Sequence, residues 1–116
     1  MLVAGGCNGW CAENPPLKSA EMYNPDTNKW TPVKDLPVGL SSAKMELLAG
    51  RPTIIGGYIL ANPSADPVWS DPRNTQNGKL YQYFVEDDEW RPHEIEMRLP
   101  RTSAAVFQVP RHFFQC

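Results

Sequence analysis

The chain has 116 residues, 41% of them hydrophobic and 21% charged, with 11 Lys and Arg set against 13 Asp and Glu for a formal net charge of −2. The cations are scattered rather than gathered into a stripe, which leaves a nucleic-acid binder no electrostatic footprint, and no apolar run approaches the roughly 20 residues of a membrane helix. With 12 prolines and 8 glycines, the composition suits many short strands joined by turns.

In chain order, Met1 to Ala4 is apolar without alternation and reads as the end of a strand buried on both faces. Gly5-Gly6 stop it, either because another backbone comes close there or because positive φ is required. Cys7 to Lys18, with Gly9, Asn14, Pro15 and Pro16, reads as loop. Ser19 to Tyr23 alternates and predicts a strand, which Asn24-Pro25-Asp26-Thr27-Asn28 folds back onto the next strand through Trp30. Thr31 to Pro37 crosses to a further unit, its two prolines excluding a central-strand role.

Ser42 to Ala49 is rich in helix formers. Gly50-Arg51 nevertheless supplies a turn into Pro52-Thr53-Ile54-Ile55, so the segment is expected to be the first strand of a hairpin. Gly56-Gly57 end that unit's second strand. From Gly57 to Tyr83 lie 26 positions, against 17 from Gly6 to Tyr23. The loop over 58–79 carries Tyr58, Ile59, Leu60, Val68 and Trp69, residues that a merely solvated linker has little reason to keep. Lys79 to Phe84 predicts a strand, Val85 to Asp88 a turn and Trp90 the next strand. Arg91 to Pro100 reads as a second crossing, Thr102 to Val109 as another first strand, and Arg111 to Cys116 as a tail with two adjacent phenylalanines.

One pattern is therefore written twice: an apolar run into a double glycine, then a tyrosine, then a tryptophan seven residues on, then Leu-Pro. Gly5, Gly6, Tyr23 and Trp30 carry the first copy, with Leu36-Pro37; Gly56, Gly57, Tyr83 and Trp90 carry the second, with Leu99-Pro100-Arg101. This resembles the kelch repeat, a four-stranded blade of a β-propeller, whose signature is a double glycine ending strand two, a Tyr in strand three, a Trp in strand four and a Pro-Arg entering the next blade. Val38-Gly39 departs from it where the first copy lacks the arginine.

The resemblance implies an all-β fold of about two four-stranded antiparallel kelch blades of an incomplete β-propeller. Residues 1–37 would be strands two to four of one blade, 38–98 a second blade with the long loop 58–79, and 99–116 the first strand of a further blade and a tail. Kelch units run to roughly 50 residues and propellers close with about four to eight blades. Two copies cannot make a ring, so the chain is expected to be a piece of a longer protein, or to need other blades or self-association to cover its open sides.

No catalytic constellation stands out. Cys7 and Cys11 invite a metal or disulfide reading, but His93 and His112 are not spaced as a second ligand pair, and free thiols in a loop are the expectation. Glu86-Asp87-Asp88-Glu89 lacks the spacing and glycine of a calcium loop and reads as a charged hairpin turn. The double glycines have neither the lysine of a phosphate loop nor a following helix. Tyr23, Tyr83, Trp30 and Trp90 are read as core, filling the space between sheets. No cofactor or metal is expected, nor a catalytic role.

Kelch resemblance implies a module that binds another protein or peptide, as in substrate adaptors of ubiquitin ligases and in cytoskeletal scaffolds. The alternative is part of a kelch-like enzyme, of galactose-oxidase or sugar-epimerase type. The interaction surface is placed where the loops between strands two and three meet the crossings into strand one. Trp10, Tyr58 and Trp69 are its aromatic anchors, and Ser41, Ser42 and Ser103 orient a bound segment. Three cysteines, an odd number, and no glycosylation sequon point to a reducing, cytoplasmic setting.

Overall fold

Among the residues that the computed structural model describes, 1–8, 15–59 and 76–111, the chain forms seven strands and no α-helix. They are β1 (Leu2–Ala4), β2 (Ala20–Asn24), β3 (Lys29–Val33), β4 (Lys44–Leu48), β5 (Arg51–Ile55), β6 (Lys79–Phe84) and β7 (Glu89–Glu96). All pairings between them are antiparallel, in a three-stranded sheet of order β1-β2-β3 and a four-stranded sheet of order β4-β5-β6-β7. The all-β expectation is met.

Turn chemistry fixes each hairpin. In the first, the Asn24 side chain accepts the backbone N–H of Asp26 at 2.9 Å, and Asn28 closes the turn at φ 55°, a conformation that asparagine tolerates better than most residues. Asp88 does the same between β6 and β7 at φ 49°. Between β4 and β5 the two turn residues, Ala49 and Gly50, both have positive φ, as a mirror-image two-residue turn requires. That turn holds the helix formers Lys44 to Leu48 in register with Arg51 to Ile55, so pairing overrides propensity.

The sheets pack face to face on a shared core. Ala20 from the first sheet and Leu36 and Leu40 from the crossing are buried with Ile54, Tyr81, Tyr83 and Trp90 of the second, and Leu2, Ala4, Met22 and Val33 pack against them. Side chains alternate across a strand and paired residues share a face. The register therefore puts Leu2, Ala4, Ala20, Met22 and Val33 on one face of the first sheet and Val3, Glu21, Tyr23 and Trp30 on the other.

That second face corrects two expectations. Val3 is 47% exposed, so β1 is not buried on both faces, and Trp30 is 47% exposed rather than core, because no sheet lies over that side in the described residues. Trp90, its counterpart, is 7% exposed because the first sheet covers it. β7 also runs past Trp90 to Glu96, beyond the predicted start of the crossing. Pro92 is accepted there because β7 is an edge strand, and a register shift between Lys79 and Tyr81 absorbs the extra length. Thr102 to Val109, expected as a strand, forms none, and no strand among the described residues pairs with it.

Candidate interaction surface

Each double glycine forms a corner at which the next crossing is pinned. Gly5 (φ 72°) and Gly56 (φ 72°) approach backbone so closely that a Cβ would lie 2.3 Å from the Leu40 carbonyl oxygen in one case and 2.5 Å from that of Arg101 in the other. Gly6 N–H donates to the Leu40 carbonyl at 2.7 Å, and Gly57 N–H to the Arg101 carbonyl at 2.8 Å. Both readings of the glycines, close approach and positive φ, hold at once.

Beyond these corners the predicted contact residues converge. Ser41 and Tyr58 exchange backbone hydrogen bonds at 3.1 and 2.7 Å, and Tyr58 also bridges to Gln76. Ser103 N–H donates to the Ser42 carbonyl at 2.8 Å. Ser42 (φ 54°) and Ser103 (φ 52°) occupy matching places in the two crossings. Ser41 is buried, while Ser42 and Ser103 are exposed and Tyr58 is half-buried. Trp10 and Trp69 lie outside the described residues.

Asn77, which sequence reading took for one more loop residue, anchors the base of the long loop. Its backbone N–H donates to the Gly57 carbonyl at 2.8 Å, as Leu17 N–H does to Gly6 in the first copy. Its buried side-chain amide donates to the Gly56 and Lys79 carbonyls at 2.9 and 2.8 Å and accepts the Lys79 N–H at 3.0 Å. No sequence signal beyond its equivalence to Leu17 distinguishes it from Asn62 or Asn74.

Beside this anchor opens a cavity of about 440 Å³, lined by apolar Val38, Ile59 and Tyr81 and by polar Gln76, Lys79, Glu96 and Arg98. Its wall comes from both ends of the long loop and from both crossings. It offers apolar contact, charges of both signs and hydrogen bonds. Among the described residues no three His, Cys, Asp or Glu come together to hold a metal ion. Cys7 is disulfide-bonded, which corrects the free-thiol expectation for that residue.

On the opposite end, the joint between sheets is hydrogen-bonded. Trp90 Nε1–H donates to the Lys34 carbonyl at 2.8 Å, and Lys34 N–H donates to Asp88 Oδ1 at 2.9 Å. The same oxygen accepts the Tyr83 hydroxyl at 2.7 Å. The Lys34 N–H, followed by the Tyr83 hydroxyl, lowers the Asp88 carboxyl below its usual value. Burial, then the bond to Asp88, pushes the Tyr83 hydroxyl up to about 12. On the outer edge Arg51 forks onto Glu86 at 3.1 and 2.8 Å, holding that carboxyl down to about 2. Arg51 and Arg91 both lie over the Phe84 ring.

Because the folded value of Asp88 lies below the unfolded one, its bonds contribute fully above the unfolded carboxylate value of about 3.9 and are lost as pH falls through the folded value. Stability should therefore fall as pH is taken below about 3.9, and Asp88→Asn should flatten that fall, since Asn28 already fills the equivalent place. Urea midpoints taken at high salt, which mutes the exposed Glu86 pair, are the check. An unchanged acid limb in Asp88→Asn would remove the joint from the account.

The two sheets are thus one unit used twice: antiparallel strands, a double-glycine corner, and a tyrosine and tryptophan with ring centroids 5.0 Å apart in both copies. Residues 1–37 match the family model of the Kelch motif. The match covers the first sheet, and the two antiparallel sheets together are consistent with kelch blades of a partial propeller. No curated protein matches it by sequence.

Proposed function

We propose that the chain is a protein-interaction module that receives an extended peptide of another protein in the recess between the base of the 58–79 loop and the two crossings. The observation that carries this reading is the cavity with Val38, Ile59 and Tyr81 among its apolar lining and Lys79, Glu96 and Arg98 among its polar lining. Binding recesses combine apolar surface with a few polar groups that fix orientation in this way. Tyr58 precedes the lining residue Ile59 and bridges to the lining residue Gln76, and Ser103 is tied to Ser42. Trp10 and Trp69 lie in sequence between strands two and three of the two copies, and both are kept in the proposal as anchors. A ubiquitin-ligase adaptor or a cytoskeletal scaffold would each use such a recess. The kelch-like enzyme alternative has no observation in its favour among the described residues. A cytoplasmic setting remains part of the proposal on cysteine count alone, and the disulfide at Cys7 weighs against it, because disulfides persist in oxidising compartments.

Selection from a random peptide-display library tests the reading. Selected peptides should bind Ile59→Asp and Trp69→Ala more weakly, by about 2 kcal/mol for a true anchor, and Trp30→Ala, on another face, with unchanged affinity. Peptides that bind all three variants like the parent would place the binding surface elsewhere.

A further inference from the structure

The charged side chains of the second sheet divide into two groups. At its outer edge the arginines meet acids: Arg51 forks onto Glu86, and Arg91 reaches Asp87 at 2.7 Å and Glu89 at 2.9 Å. In the recess Lys79, Glu96 and Arg98 line one opening, and Lys79 and Glu96 are directly opposed across β6 and β7. Yet among the described residues none of these three side chains makes an ion pair or a hydrogen bond, and neither does the Gln76 amide beside them.

The backbone explains why an opening stands here. Met97 N–H donates to the Gly78 carbonyl at 2.8 Å, and past that bond no backbone hydrogen bond joins 76–77 to 98–100 among the described residues. Asn77 N–H is engaged by the Gly57 carbonyl instead, while the Arg101 carbonyl is held by Gly57 N–H. The two chains that pair as β6 and β7 therefore part at this point. The recess is lined from both, by Gln76 and Lys79 on one side and by Glu96 and Arg98 on the other. Tyr81, 8% exposed, also lines it. Burial, and then the Glu96 carboxylate, raise the Tyr81 hydroxyl above its usual value, so that carboxylate acts on the interior of the recess as well as on its rim.

We propose that the recess selects an extended segment carrying a basic and an acidic residue two positions apart, the basic side chain meeting Glu96 and the acidic one meeting Arg98 and Lys79. This rests on the peptide-recess reading and adds to it the chemistry of the partner. Glu96 and Arg98 are themselves two positions apart in the chain. In an extended segment residues i and i+2 point to one side, about 7 Å from each other, so a single segment lying along this wall meets both charges. A wholly acidic segment would set a carboxylate against Glu96, and a wholly basic one would set a cation against Lys79 and Arg98. Like charges brought together in this way exclude wrong partners, and a segment of both signs is the one that satisfies all three groups.

Peptides selected on the parent chain from a random display library, then sequenced, synthesised and titrated by fluorescence anisotropy, test it. Binders should share a basic and an acidic residue two positions apart, in either order along the peptide. Glu96→Lys and Arg98→Glu, both at exposed positions, should each weaken these peptides about tenfold or more. A peptide whose basic residue is replaced by glutamate should bind Glu96→Lys about tenfold more tightly than it binds the parent, a crossed recovery that a misfolded variant could not give. Selected peptides without the charge pair would overturn the selectivity. So would losses with no crossed recovery, or charge reversals that leave affinity unchanged while Ile59→Asp still weakens binding, and in these cases the recess itself would stand. An Ile59→Asp variant that binds like the parent, or a library that yields no binder, would remove the recess and its selectivity together.

Discussion

Gly56→Ala is expected to lower the free energy of unfolding by about 3 kcal/mol or more, and Gly50→Ala by about 1 kcal/mol. The pair isolates what the glycine corner does. Both residues have positive φ, 72° and 77°, and share the left-handed strain that a Cβ brings. At Gly50 nothing lies within 4 Å of the added carbon, whereas at Gly56 it would stand 2.5 Å from the Arg101 carbonyl oxygen. That oxygen is also the acceptor for Gly57 N–H, so relief by moving Arg101 breaks the bond that turns the chain out of the second sheet. Urea unfolding of both variants gives the comparison. Equal losses would mean that conformation alone requires the glycine and that the close approach is incidental.

The second large effect is expected at Trp90. Truncation to alanine should cost about 3–5 kcal/mol, the range for a large buried aromatic, while Trp30→Ala should cost about 1 kcal/mol or less in dilute protein. The two tryptophans have the same sequence position in their repeats, and each ring lies 5.0 Å from its tyrosine. They differ in what covers them and in the bond from the Trp90 indole N–H to Lys34. Trp90→Phe should therefore recover most of the packing but not the hydrogen bond. If Trp30→Ala and Trp90→Ala proved equally costly in the monomer, burial by the neighbouring sheet would not be the source of the difference.

Where the sequence was informative, the signal was local. Asn24 to Asn28, and the glycines at 5, 6, 56 and 57, state backbone conformations that few other residues tolerate, and the turns and corners fall there. Even the helix formers of β4 were overruled by a turn visible in the sequence. What could not be read depends on what lies across a sheet. Val3 and Ile54 are both apolar residues in strand two of a repeat, yet one is exposed and the other buried, because only one has a sheet in front of it. The same holds for Trp30, and for Thr102 to Val109, whose strand pattern is sound but whose partner strand is not in the sheet beside it. At the candidate surface, Tyr58, Ser41, Ser42 and Ser103 were found from their place in the repeat. Asn77, Lys34 and Asp88 were missed as anchors because their importance lies in bonds spanning 21 and 54 positions of chain.

Asn77 carries a chemical consequence as well. Gly78 follows it, and an asparagine before glycine is the one whose side-chain carbonyl is most easily attacked by the succeeding backbone nitrogen, which expels ammonia and leaves a cyclic imide that water opens to aspartate or isoaspartate. In place, the carboxamide is tethered by two donated bonds and one accepted bond, so the conversion must wait until the loop base opens. Once made, an aspartate would set a carboxylate against the Gly56 and Lys79 carbonyls with no hydrogen to offer, and the base could not close as before. Ageing at this residue would thus be a one-way latch, and the rate at which mass increases in the peptide that carries Asn77, measured apart from the second Asn-Gly pair at Asn8-Gly9, would count how often the loop comes undone.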